Sequence, residues 1–151
     1  MILLCLGWEL RNVGVLIFNK YSLIYKMKQY TDSPGDELEL QRFLNGKTAH
    51  TLALFDYFIS EFQKIGPVTL HPAKTMIGVS NGRKRIVYII RLGKDFLLVV
   101  FPFKRRYDDN LCFEKIAQVP GDEQCNHYFR MLQTEDVNDE LQTYMRIAYC
   151  G

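Results

Sequence analysis

The chain has 151 residues, 48% of them hydrophobic and 24% charged, the balance of one globular domain rather than of a disordered or fibrous chain. Its formal net charge of +2 is too near neutrality to argue for nucleic acid by itself, since dedicated binders carry a strong basic excess. Four scattered cysteines, Cys5, Cys112, Cys125 and Cys150, form no C-x-x-C pair and have no histidine at zinc-finger spacing, so they read as reduced thiols in a cytoplasmic protein.

Residues 1–26 differ in character from the remainder of the chain. Met1 to Leu6 lacks a basic leader and a small-residue cleavage site, and Glu9, Arg11 and Asn12 break the apolar run. The stretch therefore reads as neither signal peptide nor membrane span. Two readings of it stay open. One is an extension from an upstream start, with Met27 the natural first residue; the other is an extra strand or helix docking through Val13, Val15, Ile17 and Phe18.

From Ser33 to residue 150 the signals describe a single α+β domain. Ser33-Pro34-Gly35-Asp36 gives an N-cap serine, a proline at the first helical position and an acid three residues after the cap. Leu40, Phe43 and Leu44 form the apolar face of that helix, and Asn45-Gly46 ends it. A longer helix is expected from Ala49 to Lys64, with Leu52, Phe55, Ile59 and Phe62 at three- and four-residue steps and Gly66-Pro67 as the stop.

The stretch from Gly66 to Arg106 reads as consecutive strands. Asn81-Gly82 carries the strongest hairpin signal, because both residue types tolerate the positive φ of a type I′ turn. A two-residue turn there would set Ser80 against Arg83, Val79 against Lys84 and Ile77 against Ile86. Lys74, Gly78, Arg85, Val87, Ile89 and Arg91 would then share the face opposite the main core. A second hairpin at Gly93-Lys94 adds a third strand to Phe103, apolar on both faces and so expected to be central and covered on both sides. Residues 113–119 fit a short helix or an irregular strand. Asn126 to Leu132 reads as a strand with His127, Phe129 and Met131 on one side and Tyr128, Arg130 and Leu132 on the other. Thr134 is expected to cap a last helix that buries Val137, Leu141, Tyr144 and Ala148. The fold class is thus α+β: an antiparallel sheet of about four to six strands, two helices before it and one after.

In order, the chain carries Leu54-Phe55 in a helix, Gly66-Pro67-Val68, Lys74-Thr75 and Ile77, a three-strand meander, His127 in a strand, and a closing helix from Val137 to Tyr149. Over roughly residues 48 to 150 this order resembles a family of small bacterial domains of uncharacterised role, domain of unknown function 5655. The chain departs from the family pattern at Gly78-Val79. The resemblance implies a standalone domain, or one appended to restriction-nuclease-like or predicted transport proteins, and hints at an accessory role near nucleic acid.

Charge is unevenly distributed. Arg83, Lys84, Arg85, Arg91, Lys94, Lys104, Arg105 and Arg106 stand against Asp95 alone, whereas Asp108 to Glu140 holds nine acids and only Lys115 and Arg130. The candidate ligand-binding residues are His71, Lys74, Thr75, Arg85, Arg91, Lys104, Arg105 and His127, since cations on a sheet beside aromatics suit a nucleotide or a nucleic-acid backbone. The competing explanation is a solvated basic face paired with the acidic C-terminal half. No glycine-rich phosphate loop, metal-ligand spacing or nucleophile–base pattern stands out, so no cofactor, metal or catalytic residue is assigned. The reading is a non-catalytic binding or accessory module for an anionic ligand; the alternative is a small hydrolase or nuclease-like enzyme.

Overall fold

The structure, a computed structural model, describes residues 22–151. Among the described residues three helices precede the sheet: α1 (Leu23–Lys28), α2 (Pro34–Leu44) and α3 (Ala49–Ile65). Six strands come next, β1 (Thr69–Pro72), β2 (Ile77–Ser80), β3 (Arg85–Leu92), β4 (Leu97–Phe103), β5 (Lys115–Gln118) and β6 (Cys125–Met131), and then α4 (Asp139–Cys150). The sheet is wholly antiparallel in the order β1-β2-β3-β4-β6-β5. The α+β class and the six-strand sheet are as expected, and residues 113–119 supply the edge strand β5.

The helix starts follow from their caps. Ser33 Oγ accepts from the Asp36 N–H at 3.1 Å, and Thr48 Oγ1 accepts from the Thr51 N–H at 3.2 Å, each satisfying a donor that the first turn leaves free. Two hydroxyls of α3 also hold the β3–β4 turn. Thr48 donates to the Lys94 carbonyl and Thr51 to the Gly93 carbonyl, both at 2.6 Å. The last helix begins later than expected: Thr134–Asp136 forms a single 3-10 turn, and Asn138 caps α4 by accepting from the Leu141 N–H at 3.0 Å. Leu141, Tyr144 and Ala148 are its buried stripe as expected, and Val137, buried too, precedes the helix.

α1 is an addition. It crosses the Met27 boundary with Leu23 and Met27 both buried in the core and Lys26 paired to Asp56 at 2.7 Å. Val13, Val15, Ile17 and Phe18 lie outside the described residues.

One hydrophobic core lies between the helices and one face of the sheet. From α3 it takes Phe55, Phe58, Ile59 and Phe62, and from the strands Ile77, Val79, Val87, Ile89, Leu97, Val99, Phe101, Phe129 and Met131. Phe58 meets Phe62, Phe101 and Phe129 with ring centroids 5.3, 6.4 and 6.5 Å apart. Truncating so central a ring costs about 3–5 kcal/mol.

The register of β2 on β3 differs from the two-residue turn expected at Asn81-Gly82. Gly82 adopts a left-handed backbone with φ 91°, but Asn81 does not, so a type I′ turn does not form. The turn instead takes four residues, Asn81 to Lys84, closed by the Asn81 N–H on the Lys84 carbonyl at 3.1 Å. Ser80 then pairs with Arg85, Val79 with Val87 and Ile77 with Ile89, with a bulge between the first two pairs. Val87 and Ile89 therefore face the core, and Tyr88 faces away from it. A second bulge, between Ile89 and Arg91, sets Arg91 against Leu98. The two irregularities bracket the reversed segment, so Arg85 and Arg91 still reach the outer face. Lys74 does not, because it sits in the β1–β2 turn. β4 is central in the sheet, as expected; among the described residues the buried helical side chains gather on its Leu97–Val99–Phe101 side, while on the other Val100 is buried and Leu98 and Pro102 only partly so.

Candidate functional site

The outer sheet face can be read off the ladders. Tyr88 pairs with Val100, which pairs with Tyr128, and Leu98 pairs with Arg130. Two tyrosines thus flank a buried valine across three adjacent strands. Beyond them Phe96 carries two guanidinium groups, Arg130 at 4.4 Å and Arg91 at 5.7 Å from its ring centre. Lys115 on β5 lies 5.4 Å from the Tyr128 ring. Arg130 also binds Glu114 at 2.9 Å, which raises its already high pKa through that hydrogen bond.

At the opposite end of β3 the face runs into a groove of about 600 Å³ whose basic lining is Lys84, Arg85, Lys104 and Arg105. Tyr88, Pro102 and Tyr107 are among its walls, and Asp122 is the one acidic side chain in its lining. The groove forms because the β2–β3 turn and the end of β4 arrive side by side. Arg85 is aimed by Gly78: a Cβ there would stand 2.9 Å from Arg85 Cδ and 3.0 Å from Nε, so the bare glycine leaves a track for the arginine stem. Arg105 is oriented by Tyr107, its guanidinium 4.8 Å from the ring centre. Among the described residues none of these four cations has an ion-pair partner; the pairs present nearby are Arg106–Asp108 and Arg130–Glu114. Pairing with the acidic C-terminal half therefore leaves the groove cations free.

Seven of the eight candidate residues separate into three groups. Arg85, Lys104 and Arg105 meet in the groove. Arg91 belongs to the Phe96 cluster at the far end of the face. Lys74 and Thr75 are exposed in the β1–β2 turn, and His71 is on the edge strand, its Nε2 sharing a 3.0 Å hydrogen bond with Thr69 Oγ1.

His127 belongs to the core. It is fully buried, and both ring nitrogens are used: Nε2 accepts from the Tyr107 N–H at 3.0 Å, so Nδ1 carries the proton and donates to the Cys125 carbonyl at 2.9 Å. Phe103, Tyr107 and Phe113 surround the ring at 5.1, 5.6 and 5.0 Å. Burial pushes its pKa below the usual histidine value of 6.5. A neutral imidazole with no free nitrogen has nothing to offer an anion, so His127 is not part of the surface.

Tyr88, Tyr128, Phe96, Lys84 and Arg130 were not among the candidates expected from sequence. The alternation of residues 126–132 already put Tyr128 and Arg130 on one side; the wrong β2–β3 register hid Tyr88. Among the described residues no group of three or more His, Cys, Asp or Glu side chains could hold a metal ion, and no buried side-chain polar atom lacks a partner. The Thr69–His71 contact is a hydroxyl beside an imidazole, but no carboxylate bonds the imidazole to orient it. No helix among the described residues is long and apolar enough to cross a membrane.

In comparison with known proteins, no family model matches the chain, and no match was found among the curated proteins or the solved structures.

Proposed function

We propose that the chain is a binding module for a phosphate-bearing anion, nucleotide or nucleic acid, held in the groove of Lys84, Arg85, Lys104 and Arg105. The observation that carries this reading is the convergence of four cations, unpaired among the described residues, on one concave surface. Clustered like charges repel one another, and a ligand supplying the missing negative charge removes that penalty. The resemblance to domain of unknown function 5655, with its accessory context near nucleic acid, agrees with such a role. Nothing in the groove supplies a nucleophile beside a base, so binding rather than turnover is the supported activity.

The test is titration of a fluorescent oligonucleotide with protein over a range of salt. Four phosphate contacts give a log–log salt slope of about −3, and Lys104→Ala/Arg105→Ala reduces its magnitude by about 1.5. An absence of binding at about 50 mM salt, where counterion release favours association, rejects the reading.

A further inference from the structure

We infer that the ligand is a single-stranded polynucleotide, its phosphates in the sheet-end groove and its bases laid on the tyrosines of the sheet face that the described helices leave uncovered. The inference rests on the anion-binding reading above and adds the chemical class of the ligand. Its basis is the continuity of groove and face. Tyr88 and Pro102 are walls of the groove, and Tyr88 also begins the row Tyr88–Val100–Tyr128 that crosses the sheet. The two tyrosines are two strand spacings apart, about 10 Å.

Cations also bound the face at both ends. Arg85 stands at one end of β3, and Arg91, with Arg130 on the same Phe96 ring, at the other. At the rise of a strand, the run from Arg85 to Arg91 is roughly 20 Å long. A mononucleotide would fill the groove and leave Arg91, which has no ion pair among the described residues, unused. A duplex keeps its bases inside, with no ring face to offer a flat sheet. A single strand exposes both its phosphates and its base faces, and stacking on aromatic side chains beside a basic track is how sequence-tolerant single-strand binding works. The span suits the lower end of the site sizes such modules occupy, about 4–16 nucleotides.

The experiment measures fluorescence anisotropy of the full chain with a labelled single strand of about 12 nucleotides, a duplex of the same length, and inorganic polyphosphate as a base-free competitor. The single strand is expected to bind at least about 10-fold more tightly than the duplex, and Tyr128→Leu to weaken single-strand binding about 5- to 100-fold. Tyr128→Phe, which keeps the ring, restores it. Competition by polyphosphate is unchanged in Tyr128→Leu and lost in Lys104→Ala/Arg105→Ala. Tyr88→Leu gives a second ring variant, and thermal melts establish that each variant is folded. Equal affinity for single strand and duplex, or ring variants that bind like the parent, overturns the single-strand assignment and leaves the groove as a plain anion site. Failure of both strand and polyphosphate to bind at low salt removes the groove as well.

Discussion

The phenol ring of Tyr149, near the end of α4, lies directly on Gly66, where α3 gives way to β1; a Cβ at Gly66 would overlap it. The Tyr149 hydroxyl donates to the Pro67 carbonyl at 2.9 Å, and its own carbonyl accepts from Asn81 Nδ2 at 2.8 Å. One residue thus ties the last helix both to the entry of the sheet and to its β2–β3 turn. Gly66→Ala is expected to destabilise the protein by about 1–3 kcal/mol through overpacking. Urea denaturation reads this directly, and an unshifted midpoint would mean the ring swings away freely.

Asn81 supports its turn with three side-chain bonds. Its Oδ1 accepts from the N–H groups of Arg83 and Lys84, both at 3.0 Å, in addition to the bond from Nδ2 to Tyr149. Asn81→Ala should cost about 1.5–4 kcal/mol, and Asn81→Asp, which keeps both acceptor contacts, distinctly less. Equal losses in the two variants would show that the turn bonds contribute nothing.

Stability should fall in mild acid because of His127. Its folded pKa lies below 6.5, so the unfolded chain takes up the proton first. The stabilising contribution is complete above about pH 6.5 and declines as pH drops through that value toward the folded pKa. Comparing denaturant midpoints at neutral and acidic pH measures it. His127→Leu removes this component of the pH dependence and costs about 2–4 kcal/mol at neutral pH, since the Tyr107 N–H and Cys125 carbonyl lose their partner.

Gly78→Ala separates stability from binding. The added methyl occupies the track of the Arg85 stem, but a long side chain can move aside, and alanine in a strand is favoured over glycine by about 0.5–1 kcal/mol. Unchanged or slightly raised thermal stability is expected, with weaker binding of a phosphate-bearing probe. Full binding with Arg85 displaced would remove that arginine from the site.

The thiols differ in reactivity. Cys150 is exposed and Cys125 buried. The half-buried Cys112 has its pKa pushed up to about 12, chiefly by burial and then by the Glu140 charge. Among these three, maleimide at neutral pH should label Cys150 first and Cys112 slowly, read by peptide mapping. Faster labelling at Cys112 would show that its loop opens.

Helices α2 and α3 are legible because periodicity and stop agree at each, with the Ser33 cap as a further signal at α2, and the tertiary structure has no reason to override them. The strands were legible as runs, but not in register. Asn81-Gly82 marked the turn correctly, yet the side-chain bonds of Asn81 favour a wider loop, and two bulges that leave no trace in composition reset the alternation. Arg85 and Arg91 reach the outer face through these bulges and not through unbroken alternation. Lys74 falls out because a turn intervenes; His127 shares the side of Phe129 and Met131, which points it inward, but the Tyr107 N–H and Cys125 carbonyl that satisfy a buried imidazole there leave no trace in the sequence. Tyr149 on Gly66 was beyond reach: 83 positions separate them, and only the closing of the fold brings them together.

Both edges of the sheet are only four residues long, β1 ending in Pro72 and β5 opening on Lys115. Unpaired N–H and C=O groups along a sheet edge recruit any extended chain nearby, and a proline without an N–H, a lysine and a short reach each blunt that recruitment. The consequence is colloidal. Crowded copies of this chain meet little free backbone to zip together, so a sheet with one side left uncovered by the described helices does not thereby invite fibre growth from its borders.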